Sequence, residues 1–137
     1  MPAKILRVDY FYVTVQDRPG EAYRLLSKLA AAEVDLLAFS TVPIGPENTQ
    51  LVLFPANTEK LAFAAEREHL VLAGPQRAFL IQGDDRLGAF AELHHKLADS
   101  NVNVYAATGV TDGRGGYGYV LYIRPEEFES AAHVLGV

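Results

Sequence analysis

The sequence predicts an α+β fold built from two tandem copies of one β-α-β-β-α-β module, and three observations carry this. A strand-turn-helix signature occurs twice along the chain. Apolar spacing alternates between strand and helix periods in the same order in each half. The length of 137 residues, half of them hydrophobic, suits one ordinary domain or two very small modules with packed cores, and the repeat selects the second.

Asp17-Arg18-Pro19-Gly20 matches Asp85-Arg86-Leu87-Gly88 at an offset of 85 − 17 = 68. The match continues without a gap through Leu25 with Leu93, Lys28 with Lys96, Leu29 with Leu97, Ala30 with Ala98, Val34 with Val102 and Ala38 with Ala106. Ahead of the turns, Val13-Thr14-Val15-Gln16 matches Phe79-Leu80-Ile81-Gln82 at 82 − 16 = 66, which predicts a two-residue insertion, Gly83-Asp84, before the second turn.

In the first half, β-branched and aromatic residues from Phe11 to Gln16 predict a strand, which Pro19-Gly20 ends. Ala22, Leu25, Leu26, Leu29 and Ala30 lie at helical spacing. Strands over Val34–Val42 and Gln50–Phe54 follow, joined by a turn at Ile44–Asn48. Asn57-Thr58 offers an N-cap for a helix reaching His69, Leu70–Ala73 predicts a short fourth strand, and Gly74-Pro75-Gln76 predicts a linker. The second half repeats the order: strand Ala78–Gln82, helix Leu87–Ser100, strand Asn103–Val110, loop Thr111–Gly116, strand Tyr117–Ile123 and helix Pro125–Val134, whose proline suits a first helical turn. Little sequence remains for a last strand, so that strand is either vestigial or supplied by another segment. The expected modules are residues 1–74 and 75–137.

This order gives the ferredoxin-like sandwich, an antiparallel sheet with its helices on one face. Leu51-Val52-Leu53-Phe54 and Val120-Leu121-Tyr122-Ile123 are apolar on both parities, which predicts burial on both faces. The second face is expected to be covered by the other repeat or by another subunit, hence a homodimer or larger.

A net charge of -5 argues against general binding to nucleic acid or anionic membrane. The absence of cysteine excludes disulfides and thiolate chemistry. No apolar run is long enough to span a bilayer, and Met1–Val15 lacks a signal-peptide core, so the expected location is cytoplasmic.

Val15-Gln16-Asp17-Arg18-Pro19-Gly20-Glu21 is similar to the first strand and turn of ACT domains, which commonly carry Asp-x-Pro-Gly there, and Asp85-Arg86-Leu87-Gly88 resembles a second copy with leucine in place of proline. Over nearly its whole length the chain resembles the small stand-alone double-ACT proteins. The resemblance implies regulatory binding of a small molecule, of the amino-acid class, at the strand-to-helix turns and the interface between modules. It implies no reaction and no cofactor. The candidate ligand-binding residues are Asp17, Arg18, Pro19 and Gly20 with Asp85, Arg86, Leu87 and Gly88. The residues themselves support this site, because glycine lets a ligand approach closely and a helix N-terminus offers free N–H groups to a carboxylate. Asp17 and Asp85 are placed either to cap the helix or to accept a ligand's ammonium. The alternative is a structural or partner-binding double module whose glycines serve only turn geometry.

Other motifs weigh less. Gly113-Arg114-Gly115-Gly116-Tyr117-Gly118 spells G-x-G-x-x-G, but it opens a strand, whereas a dinucleotide cradle opens a helix. Gly116–Tyr122 approximates an RNA-recognition strand on which Tyr117 and Tyr119 stack bases, against an acidic chain and a missing basic residue at Gly115. His95, Asp99 and Glu92 suggest a metal site without an assured further ligand. His94, at the repeat position of Leu26, reads as a half-buried histidine. No nucleophile elbow is present.

Overall fold

The computed structural model describes residues 3–137. In chain order it contains β1 (Lys4–Gln16), α1 (Glu21–Ala31), β2 (Leu36–Ile44), β3 (Asn48–Pro55), α2 (Thr58–Arg67), β4 (Ala73–Asp84), α3 (Ala89–Asp99), β5 (Ala106–Thr111), β6 (Gly116–Tyr122), a 3-10 turn over Pro125–Glu127, and α4 (Phe128–Leu135). The β1–β3, β2–β3, β4–β6 and β5–β6 pairs are antiparallel. The first repeat runs β2-β3-β1 across its sheet and the second β5-β6-β4, the same order. The fold is thus α+β, made of ferredoxin-like modules.

Packing gathers Asp9–Gln76 into one compact unit, and Arg77–Val137 with the described residues up to Val8 into another. In the second of these, the start of β1, beside β4, takes the place of the fourth strand of the module. Arg7 ties the two termini of that unit together. Its guanidinium donates to Glu129 at 3.1 Å and to the Val137 carbonyl at 2.9 Å. Arg77 also donates to Glu129, at 3.0 Å, and lies over the buried Phe128 ring at 4.0 Å.

Each unit has its own core. Leu25 and Leu29, one helical turn apart on α1, pack with Leu51 and Leu53 of β3 and Leu61 of α2. Leu97 of α3 packs with Phe79 and Ile81 of β4, Leu121 of β6 and Phe128 of α4. Burying each such side chain contributes roughly 1.5–3 kcal/mol. The opposite parity of the central strands is buried too: Val52 and Phe54 are 4% and 2% exposed, and Leu80 and Val120 5% and 9%. The two-sided burial expected from the apolar runs is therefore met within one chain, and does not by itself call for a second copy.

Two expectations need correction. Leu70–Leu72 forms no strand; β4 begins at Ala73 and runs straight through Gly74-Pro75-Gln76, the expected linker. Leu70 and Leu72 instead pack on the first core, and the Leu70 N–H donates to the Ala65 carbonyl at 2.8 Å, closing α2. Their apolar alternation reflects that anchoring. Nor is there an insertion before the second turn. Phe11 pairs with Leu53 and Gln16 with Asn48, while Phe79 pairs with Leu121 and Asp84 with Gly116, so the offset is 84 − 16 = 68 in the strands as well. A slip of two residues keeps every strand side chain on its own face, so alternation alone does not detect it.

Candidate functional site

Both strand-to-helix turns share one backbone. Asp17 donates its N–H to the Glu47 carbonyl and Asp85 donates its own to the Gly115 carbonyl, each at 2.8 Å. The residues at the N-caps are Gly20 and Gly88, at φ 88° and 83°, and neither helix has a side-chain cap. Asp17 and Asp85 therefore do not cap. Glycine occupies this left-handed conformation without the Cβ clash that other residues meet.

The side chains around the two turns differ. At the first, Glu21 accepts from Arg18 at 2.7 Å and from Arg24 at 3.3 Å. The hydrogen bond from Arg18, foremost, pushes the Glu21 carboxyl below its usual pKa. Arg24 folds back until its guanidinium lies 3.5 Å from the point that a Cβ on Gly20 would occupy. At the second, Ala89 stands at the position of Glu21, and Glu92 at that of Arg24. Arg86 reaches past the helix start to Glu92, with one bond of 2.9 Å and a second from its other terminal nitrogen. That hydrogen bonding lowers the Glu92 pKa. Around the Cβ position of Gly88 nothing lies within 4 Å.

A cavity of about 410 Å³ opens beside the second turn, lined by Ala3, Gly83, Asp84, Arg86, Ala89, Glu92, Leu93, His95, Lys96 and Tyr117. One wall arises from a size exchange between repeats. Val15 faces Thr49 across the first pair of strands, and Gly83 faces Tyr117 across the second. A Cβ on Gly83 would stand 2.9 Å from the Tyr117 hydroxyl, so the glycine makes room for the ring. Gly109 does the same beside Tyr119 and Phe90, where an added Cβ would fall 2.7 and 2.9 Å from the two rings. Phe90 stacks on Tyr119 at 4.3 Å and meets Tyr117 edge-on at 5.0 Å. His94 and the Tyr119 hydroxyl share a hydrogen bond of 2.5 Å. Burial raises both tyrosine pKa values, so both phenols stay protonated near neutral pH.

Of the eight candidate residues, the structure places Arg86 on the cavity wall. Asp85, Leu87 and Gly88 form the turn beside it, with Leu87 fully exposed. Asp17, Arg18, Pro19 and Gly20 form the turn closed by the Arg18–Glu21–Arg24 cluster. The motif reading missed Asp84, Ala89, Leu93, Lys96 and Tyr117 as cavity residues. For Ala89 and Tyr117 a signal was available in the repeat, as the exchanges of Glu21 for Ala89 and of Thr49 for Tyr117; Leu93 and Lys96 repeat Leu25 and Lys28 and carry none.

The other motifs resolve plainly. Tyr117 and Tyr119 are each 8% exposed and sit in the core with Phe90 of α3, so neither ring is open to stack a base. Glu92 is engaged by Arg86, and His95 lies 3.4 Å from Asp99. Among the described residues no group of three or more His, Cys, Asp and Glu is placed to hold a metal ion. No helix among them is long and apolar enough to cross a membrane.

Fold and repeat together define a tandem of two α+β, ferredoxin-like modules. No protein-family model matches the chain, and no curated protein matches it in sequence. Solved structures do share its fold. Protein BT0572 from Bacteroides thetaiotaomicron is 16% identical with a TM-score of 0.79, covering 98% of this chain and 88% of that one. The regulatory subunit of aspartate kinase from Thermus thermophilus is 14% identical with a TM-score of 0.66, covering 98% of this chain and 94% of that one. Its counterpart from Thermus flavus is 14% identical with a TM-score of 0.65, covering 99% and 95%.

Proposed function

We propose that this chain is a regulatory sensor that binds a small molecule of the amino-acid class in the cavity at its second turn, with residues 1–74 and 75–137 as its modules. The observation that carries the reading is that cavity. It is large enough for an amino acid, partly apolar along Ala89, Leu93 and Tyr117, and edged by charges of both signs. Its place at a glycine turn agrees with the resemblance of the two turns to ACT domains. The regulatory subunits of similar fold support a regulatory role by analogy. The reading assigns no reaction to the chain and places it in the cytoplasm.

The proposal includes a homo-oligomer. In the first unit β2 pairs with β3 alone and exposes Leu37, Phe39 and Val42. An exposed apolar edge strand is a ready surface for a second copy. A thermal-shift screen with the twenty standard amino acids tests the ligand reading. A ligand at 100 times its Kd adds about 2.7 kcal/mol to the folded state and raises the midpoint. A flat response to all twenty at millimolar concentration contradicts it.

A further inference from the structure

We infer that Arg86 and Glu92 are an exchange pair that reads the two charged ends of a zwitterionic ligand, Arg86 passing from Glu92 to the ligand's carboxylate and Glu92 from Arg86 to its ammonium. The inference rests on the ligand-binding reading above and names the residues that set specificity within it.

Both residues line the cavity, on the side of α3 that also presents Ala89 and Leu93. Helix geometry does not require their pairing: neighbours on a helix surface stand three or four residues apart, whereas Arg86 lies ahead of α3 and Glu92 is six residues further on. Their side chains are 58% and 62% exposed, so solvent screens the pair and the fold depends little on it. Handing both charges to a zwitterion keeps the site neutral. A guanidinium stays charged at any accessible pH, and its planar fork matches a carboxylate.

The cavity's other charged or titratable groups are Asp84, His95 and Lys96. His95 faces Asp99. Lys96 is the competing cation. At the first turn the corresponding arginine is held by Glu21, the position that Ala89 leaves empty of charge. Arg86 thus has the more distant Glu92 as its carboxylate, and the pair lies together on the cavity wall.

Calorimetric titration with whichever standard amino acid gives the largest thermal shift, its amide and its N-acetyl derivative tests the exchange. For the unaltered chain, each blocked derivative binds about tenfold or more weakly than the parent, as expected for a lost charged hydrogen bond. In Arg86→Gln the parent falls to the affinity of its amide. In Glu92→Gln the N-acetyl derivative binds more tightly than it does to the unaltered chain, because Arg86 is no longer engaged. Both variants keep their melting midpoints. If the parent binds but neither variant changes any of the three affinities, or if Lys96→Gln and not Arg86→Gln removes the preference for a free carboxylate, the exchange pair is overturned and the ligand reading stands. If no amino acid binds the unaltered chain, the ligand reading fails and the inference with it.

Discussion

The two turns are built on one backbone and differ in what their side chains do with it. Asp17 and Asp85 make the same hydrogen bond, and Gly20 and Gly88 take the same left-handed conformation. Yet Arg24 covers Gly20 while the space over Gly88 is open. The difference follows from two exchanges, Glu21 for Ala89 and Arg24 for Glu92. With Glu21 at the first helical position, two arginines close on it; with Ala89 there and Glu92 further along, the single arginine swings out. Duplicated folds can therefore keep one backbone in common while the side chains around it diverge. Backbone and core are shared; the local charge pattern is not.

The largest expected effect tests what is shared. Leu29 and Leu97 occupy the same repeat position and are 1% and 0% exposed. Leu29→Ala and Leu97→Ala should each cost about 2–5 kcal/mol in urea unfolding. Loss at one site with little at the other would break the equivalence of the cores. Next, Gly20→Val and Gly88→Val should each cost roughly 1–3 kcal/mol, because a β-branched residue is strained at positive φ. Only the second should also alter the amino-acid response of the melting midpoint.

Transplanting the first turn's closure onto the second should move stability less. The double variant Ala89→Glu with Glu92→Arg changes one exposed residue and one that is only 9% exposed, so its unfolding free energy should fall by about 1 kcal/mol. Its thermal response to amino acids should nonetheless be lost, as an arginine folds over Gly88. The smallest effect is one of pH. Glu21 and Glu92 both have pKa values lowered by arginine hydrogen bonds, Glu21 chiefly by Arg18 and Glu92 by Arg86. A lowered carboxyl stabilises the fold above its unfolded pKa, and that contribution is lost as pH falls through the folded one. Carboxyl carbon shifts followed by NMR should show both groups titrating below the ordinary 4.5.

Much of the fold was legible because the turns announce themselves: Asp, Arg and Gly recur, and leucines recur behind them at helical spacing. The cavity was less legible. It depends on Gly83 facing Tyr117, and a strand's period of two let Gly83-Asp84 pass for an insertion where the strand simply continues. With the offset held at 68, Val15 becomes Gly83 and Thr49 becomes Tyr117, and the exchange of sizes can be read from the sequence. The grouping of Lys4–Val8 with the second unit was not legible, since strand pairing is non-local and these residues carry no mark of their partner.

The most direct test of the central claim, that the second turn is the ligand site and the first is closed, is a two-dimensional amide NMR titration with the amino acid that most raises the melting midpoint. The account predicts saturable shifts at Gly83–Lys96, with one ligand per chain, and no comparable shifts at Val15–Lys28. Equal shifts in both turns with two ligands per chain, or shifts confined to the first turn, would contradict it.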